Sequence, residues 1–236
     1  MNDSYKIKAD ILTDALSYMQ DFEGKIMVIQ YSCNNYASPE QEKRIMQDIS
    51  LLHFLGVHPV VVHSNKSGVD IFRENKRIAA LLETNNLKAI GICGIDLQTI
   101  RILIDNQYIP VVIPNDIQTE SENIFVEDTA REIAVKLKAD KLIFMSKDKG
   151  LFDDNGQMLP IMSLATLIEY NKYHEQKGYL NLKVQNAIKA INGGVHRVHI
   201  IDGLMEHSIL LELFSIEGIG TAILDSLDNL YKHEQQ

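Results

Sequence analysis

Histidine and cysteine supply many of the metal ligands and nucleophiles of proteins, and this chain has eight histidines and two cysteines. The histidines show no metal-ligand spacing, and His196 and His199 fall on or beside a predicted strand. Neither Cys33 nor Cys93 has an evident histidine partner, so both are predicted to be small buried residues. We therefore expect no metal centre, apart from the Mg²⁺ that accompanies any nucleotide.

The strands that must position any site are short apolar runs rich in β-branched residues. Near-continuous runs of this kind are typical of a sheet that is covered on both faces. They are predicted at Ile26–Tyr31, Pro59–His63, Ala89–Cys93, Ile109–Ile113, Lys141–Met145 and Val198–Ile201. The turn sequence Asp154-Asn155-Gly156 predicts a hairpin in addition.

Amphipathic helices alternate with these strands. The first begins at Ser38-Pro39-Glu40, where a capping residue, a first-turn proline and an acid coincide, and it ends at Gly56. The others are predicted at Asp70–Thr84, Leu97–Asn106, Thr129–Lys138 and Leu182–Asn192. This alternation predicts an α/β fold, a three-layer αβα sandwich with a mainly parallel central sheet.

The first 24 residues stand outside the alternation, and we treat 25–236 as a single domain. One apolar face of about four helical turns is predicted within residues 11–22. It is formed by Ile11, Leu12, Ala15, Leu16, Met19 and Phe22. This helix packs either on a neighbouring subunit or on its own domain.

Composition excludes several classes of protein. The chain has 236 residues, 45% of them hydrophobic, and a net charge of −9. An acidic protein has no net field that attracts nucleic acid, and no apolar run approaches the ~20 residues of a membrane span. The N-terminus lacks a signal peptide, and two cysteines fit a reducing compartment. We predict a cytoplasmic protein with no nucleic-acid or membrane partner.

Collinear motifs then cover most of the chain. They are Gly56-Val57-His58-Pro59-Val60-Val61-Val62-His63, Ile90-Gly91-Ile92-Cys93-Gly94, Glu127-Asp128-Thr129-Ala130, Gly193-Gly194-Val195-His196-Arg197-Val198-His199-Ile200-Ile201-Asp202-Gly203 and Glu217-Gly218-Ile219-Gly220-Thr221. Their order closely resembles that of acetylglutamate kinases, in the amino-acid kinase family. The resemblance implies eight strands, a substrate lobe over 25–115 and a nucleotide lobe over 116–236. It places acetylglutamate and ATP at the carboxyl ends of the strands.

Several positions depart from the family pattern. The family's Lys-(Tyr/Phe)-Gly-Gly is Gln30-Tyr31-Ser32-Cys33 here, and its His-Gly-Gly-Gly-Pro is His63-Ser64-Asn65-Lys66-Ser67. Its Asn-Ala-Asp is Val126-Glu127-Asp128, and its Thr-Asp is Ser146-Lys147. The lid segment expected after Gly68 and the hairpin expected between Asp96 and Asn106 are not identifiable.

Two matching residues are retained. The resemblance implies that Asp128 organises the lysines of the active site and that Lys183 contacts the nucleotide phosphates. Alternatively, they persist as a helix-terminal acid and a surface lysine. Loss of a preorganised charge at position 30 would typically raise the barrier by about 3–4 kcal/mol, and a Cβ in place of glycine blocks backbone approach to phosphate. Lys66, Lys147 or Lys149 is a candidate to restore a positive charge.

The C-terminal motifs resemble a different feature of the family. In arginine-inhibited acetylglutamate kinases, an extra N-terminal helix links dimers into a hexameric ring and arginine binds beside it. The matching residues are Tyr18, His207, Glu212, Gly218 and Gly220. A carboxylate such as Glu212 can pair with a guanidinium group. Alternatively, this region is the packed edge of its lobe.

The resulting functional prediction is a catalytically impaired or inactive acetylglutamate kinase relative of arginine metabolism. It would bind arginine or a related metabolite, form a homo-oligomer through residues 11–22 and the sheet edge, or associate with an active kinase. The alternative is an active kinase that phosphorylates acetylglutamate or another small carboxylate. ATP and Mg²⁺ are expected only if that activity is retained.

Overall fold

One eight-stranded sheet runs through the molecule. The computed structural model describes residues 20–32, 37–64, 69–83, 86–114, 125–174, 178–215 and 218–229. The strands are β1 (Ile26–Tyr31), β2 (His58–His63), β3 (Lys88–Cys93), β4 (Tyr108–Ile113), β5 (Lys141–Ser146), β6 (Ile161–Ser163), β7 (Arg197–Asp202) and β8 (Thr221–Leu224). Their spatial order is β3-β4-β2-β1-β5-β7-β8-β6.

Helices connect the strands and cover both faces of the sheet. They are α1 (Pro39–Phe54), α2 (Ile71–Leu82), α3 (Leu97–Asp105), α4 (Val126–Leu137), α5 (Leu164–Tyr173), α6 (Gly178–Asn192) and α7 (Ser208–Phe214), with a 3₁₀ turn at Leu227–Asn229. Residues 20–22 are helical as well. The Ser38 hydroxyl and the Gln41 side chain form a capping box at the start of α1, and Asp70 caps α2.

The pairing of strands puts six carboxyl ends at one edge, because β4 pairs in parallel with β2 and β3 pairs in parallel with β4. β1 pairs in parallel with β2 and β5, and β5 pairs in parallel with β7. β8 lies antiparallel to β7, and β6 is parallel to β8. The chain leaves β1 for β2 on one side, while the later strand β5 lies on the other side. The edge between β1 and β5 is therefore a topological switch point, where open α/β sheets bind ligands.

Alternating side chains of β1 divide the interior into two cores. Val28 belongs to a core that includes Val126 and Ala130 of α4, while Ile29 and Tyr31 belong to the core beneath α1. Successive residues of a strand point to opposite faces, so Gln30 lies on the same face as Val28. This register sets which residues of β1 face the start of α4.

The predicted α/β architecture is confirmed, as are the six predicted strands to within one residue at each end. The hairpin is confirmed by the antiparallel bridge between Phe152 and Met158. The short elements β6, β8, α5 and α7 were not predicted from apolar patterning. Most of the predicted N-terminal helix lies outside the described residues, and the boundaries of the two lobes stay a prediction.

The prediction that Cys93 is buried is wrong. Cys93 is exposed, because it ends β3, which is the outermost strand on its side of the sheet. An edge strand is covered on fewer sides than a central one, so its final residues meet solvent. Cys33 lies outside the described residues.

Buried charges tie α1 and α2 to the end of β1. The Arg77 guanidinium lies 2.6 Å from the Glu42 carboxylate and 2.7 Å from that of Glu74, whose side chains are 3% and 1% exposed. The Tyr31 hydroxyl donates to Glu42 at 3.1 Å. Two desolvated carboxylates thus share one cation, and each depends on it.

The Arg77→Met variant should lose about 3 kcal/mol of the free energy of unfolding, because it leaves two buried carboxylates without their cation. Urea denaturation at neutral pH measures this loss. Arg73→Met is the matched control, since Arg73 is an exposed residue of the same helix. A loss no larger than that of the control would show that Glu42 and Glu74 do not need Arg77.

Candidate active site

The end of β1 carries an uncharged polar side chain. Gln30 is fully buried. Its Nε2 donates to the Ser32 hydroxyl, and its Oε1 has no hydrogen-bond partner. An amide at this position can orient a ligand, but it supplies no positive charge to a phosphate group.

The end of β2 carries a buried imidazole. His63 Nδ1 lies 2.8 Å from the Ser64 carbonyl oxygen, and Nε2 lies 3.4 Å from Asn75 Oδ1. Burial lowers the pKa of His63, although both hydrogen bonds oppose the shift. Asn65 and Lys66 lie outside the described residues, so the second loop is described only as far as Ser64.

The start of α4 reaches the same edge, because this helix leads from the carboxyl end of β4 back to β5. Val126 is buried, and the Asp128 carboxylate lies 3.9 Å from the Arg131 guanidinium. Glu127 is 2% exposed and its Oε2 has no hydrogen-bond partner. Burial raises the pKa of Glu127, with Lys183 opposing the shift.

Lys183 is a buried residue, not a surface lysine. It is 1% exposed, and its ammonium group donates to Asp148 Oδ2 at 2.6 Å. Asp148 follows β5, so the pair joins the end of that strand to α6. Lys147, which stands where the family has an aspartate, is exposed.

A second cluster lies around Glu212 of α7. Its Oε1 accepts from His199 Nδ1 at 2.7 Å, and its Oε2 accepts from the backbone amides of Ile219 and Gly220 at 2.8 and 2.9 Å. Burial opposes the charge of Glu212, but these bonds outweigh it and lower its pKa. Burial also lowers the pKa of His199, which favours a neutral imidazole that donates from Nδ1.

The glycines of this cluster have a steric reason. A Cβ on Gly220 would lie 2.4 Å from the Ile200 carbonyl oxygen, and Gly218 has a φ of +61° beside the Glu212 carboxylate. The conformation of this turn therefore favours glycine at both positions.

His207 and Tyr18 are the other two residues that were matched to an effector site. His207 lies 3.0 Å from the Asp48 carboxylate of α1 rather than beside Glu212, and Tyr18 lies outside the described residues. Lys141 lies over the Phe22 ring at 4.7 Å, and the Phe22 and Phe214 rings are 5.8 Å apart. The segment at 20–22 thus packs against α7.

Sequence reasoning missed four residues of these clusters: Asp148, Glu127, His199 and Lys141. Glu127 stands where the family motif has alanine, which has no catalytic role to lose, so the comparison of motifs assigned Glu127 no function. Asp148 lies just after the compared pair Ser146-Lys147 and was not compared. His199 and Lys141 lie within apolar strands. A polar residue inside such a strand needs a buried partner, and this is the signal that could have identified both residues. Within the described parts of the chain, no group of three or more His, Cys, Asp or Glu residues could hold a metal ion.

Comparison with known proteins identifies the family. The model of the amino acid kinase family matches residues 67–202, more than half of the chain. The chain belongs to the amino acid kinase family. The chain is also similar to curated acetylglutamate kinases. That of Syntrophomonas wolfei is 32% identical, over 92% of this chain and 97% of the Syntrophomonas chain. That of Aliarcobacter butzleri is 33% identical over 92% of each chain.

This family member is shorter than its relatives. The alignment with the Syntrophomonas wolfei enzyme spans 279 positions, whereas this chain has 236 residues. The relative therefore contains segments that this chain lacks.

Two solved structures share the fold. N-acetylglutamate synthase of Neisseria gonorrhoeae, complexed with coenzyme A and L-arginine, has a TM-score of 0.74 at 19% identity. The match covers 92% of this chain and 65% of the synthase, so this chain spans about two-thirds of that protein. Carbamate kinase of Giardia lamblia, bound to AMP-PNP, has a TM-score of 0.67 at 15% identity and covers 86% of this chain and 99% of its own. Among the helices described, none is long and apolar enough to cross a membrane.

The Glu212→Gln variant should lose about 2 kcal/mol of the free energy of unfolding at pH 7, because three donors lose a charged acceptor. The pKa of Glu212 lies below its ordinary value of 4.5 in the folded protein. Its contribution is therefore complete above that value and is lost as the pH falls through the folded pKa.

Chemical denaturation at pH 7 and below pH ~4 measures both effects, and the difference between wild type and variant should shrink in acid. Glu206→Gln is the control, because the Glu206 side chain is 59% exposed. A difference that stays constant or grows as the pH falls would contradict a charged, bonded Glu212.

Proposed function

We propose that this chain is an acetylglutamate kinase-like protein that no longer transfers phosphate. The observation that carries the proposal is the 2.6 Å contact between Lys183 and Asp148. The cation that the family resemblance assigns to the nucleotide phosphates is already neutralised by a carboxylate of the same chain.

The physical argument concerns charge at the moving phosphoryl group. Transfer of this group depends on positioning and on positive charge, because several negatively charged oxygens must approach one another. Gln30 supplies no charge, and Lys183 and Arg131 both face carboxylates. A nucleotide would have to displace Asp148 from Lys183, and that displacement reduces both affinity and rate.

A second candidate is an active kinase that phosphorylates acetylglutamate or a similar carboxylate. Asp128 and Lys183 reach the same edge of the sheet from α4 and α6, and this favours the candidate. In such an enzyme Lys183 would exchange Asp148 for a phosphate oxygen of ATP. Mg²⁺ would accompany the nucleotide.

Turnover with ATP-Mg and N-acetylglutamate separates the two candidates. We expect the wild-type chain to show no ADP formation above background and no thermal stabilisation by ATP-Mg. Asp148→Asn should increase ATP-Mg affinity, since it removes the charge that competes for Lys183. Asp154→Asn, at an exposed carboxylate of the hairpin, is the control with the same change in net charge.

Steady ADP formation that depends on N-acetylglutamate would overturn the proposal and favour the active kinase. A gain of activity in the Gln30→Lys variant would identify position 30 as the decisive loss.

We further propose that the chain binds arginine or a related amino acid and forms oligomers through residues 11–22, or associates with an active kinase. Support comes from the opposite charges of Lys141 and Glu212 near the packed rings of Phe22 and Phe214, and from the arginine bound to the N-acetylglutamate synthase of similar fold. Because Glu212 already accepts three hydrogen bonds, arginine would have to add to this arrangement or replace one of its donors.

Deletion of residues 1–19 tests the arginine and oligomer proposals together, and it keeps the buried Phe22. The full-length chain should sediment as a large oligomer and gain melting temperature with millimolar arginine. The truncated chain should sediment as dimers or monomers and lose the shift, because Tyr18 is removed. A monomeric full-length chain would refute the oligomer, and an unchanged melting temperature would refute arginine binding.

A further inference from the structure

The carboxyl edge contains two buried acceptor atoms that have no donor. Gln30 Oε1 and Glu127 Oε2 both belong to side chains that are at most 2% exposed, and neither atom has a hydrogen-bond partner. Buried polar atoms are usually hydrogen-bonded, because leaving water without a new partner is unfavourable. Each of these two atoms can therefore accept a hydrogen bond that no described residue donates.

Both side chains lie at the same end of the contact between β1 and α4. Gln30 shares a strand face with Val28, which packs in one core with Val126 and Ala130 of α4. Gln30 is the last residue but one of β1, and Glu127 is in the first turn of α4. The end of the strand and the start of the helix meet at the switch-point edge.

Acceptors outnumber free donors at this edge. Glu127 interacts electrostatically with Lys183, Asp128 and Asp148. Lys183 donates to Asp148, and Arg131 donates to Asn186 Oδ1 at 2.9 Å while it lies 3.9 Å from Asp128. Lys183 and Arg131 thus already have acceptors, whereas Gln30 Oε1 and Glu127 Oε2 have no donor.

We propose that this edge binds a small molecule through a primary ammonium group. Such a group offers three N–H donors and one positive charge, which match Gln30 Oε1, Glu127 Oε2 and the partly exposed Asp128 carboxylate. A triphosphate offers only acceptors and negative charge, so it complements none of these three. The inference rests on the proposed loss of phosphoryl transfer, because a working kinase would hold ATP at the same edge.

Ligand binding should also move a proton. The pKa of Glu127 is raised by burial, and a neighbouring ammonium group favours the carboxylate form. Binding should therefore release protons at pH values where the raised pKa leaves part of Glu127 protonated.

Calorimetric titration of the full-length protein with n-butylammonium chloride tests the inference. We expect saturable binding whose enthalpy changes with the ionisation enthalpy of the buffer. Tetramethylammonium, which has the same charge and no N–H donor, should not bind. Saturation by both cations alike, or by neither, would overturn the inference.

Variants locate the site. Glu127→Gln should weaken n-butylammonium at least tenfold and abolish proton release, while Glu132→Gln, at a half-exposed acid of the same helix, should match wild type. Gln30→Leu should also weaken binding, and Gln30→Glu should strengthen it. Wild-type affinity in both Glu127→Gln and Gln30→Leu, with melting temperatures that show folded proteins, would overturn the inference.

The turnover assay keeps the two proposals apart. Absence of n-butylammonium binding together with absence of ADP formation overturns the ammonium site alone. ADP formation that depends on N-acetylglutamate overturns the loss of phosphoryl transfer and, with it, the ammonium site.

Discussion

The buried ammonium group of Lys183 is the constraint on which the carboxyl edge depends. A lysine that is 1% exposed needs an anion beside it, because desolvation strongly disfavours an isolated charge. In this chain the anion is Asp148, which lies shortly after the end of β5 at Ser146. The ion pair therefore fixes the loop after β5 against α6 and neutralises the positive charge that Lys183 brings to the edge.

The second cluster connects to this loop through the backbone. Glu212 holds the amides of Ile219 and Gly220, and the next residue, Thr221, accepts a hydrogen bond from the Leu151 amide at 2.8 Å. Gly150 is in contact with the same threonine, since a Cβ there would lie 2.9 Å from its hydroxyl oxygen. The position of Asp148 thus depends on packing that extends to α7.

Much of the fold could be predicted from sequence because β1 to β5 and β7 are continuous apolar runs. Short elements were harder to predict from the sequence. β6 has three residues and β8 has four, and neither shows a period long enough to recognise. α4 begins at Val126 and not at the predicted Thr129. The sequence did not reveal this start, because Phe125 provides no side-chain cap that would mark it.

The site was predictable in its positions and not in its contacts. Gln30, Asp128 and Lys183 do lie at the carboxyl edge, because motif order follows strand order. The partner of Lys183 could not be found, since Asp148 is distant from it in sequence and unremarkable in its local pattern. The same holds for His199 and Glu212, whose pairing depends on how α7 packs against β7.

The pair of Lys183 and Asp148 also restricts how the chain can evolve. Loss of Asp148 alone leaves an unneutralised ammonium group in the interior, and loss of Lys183 alone leaves a carboxylate without its counter-ion. Each intermediate is less stable than either end point, so the two positions are epistatic. Replacement of either residue alone is therefore opposed by stability, and this constraint favours retention of the pair independently of any bound ligand.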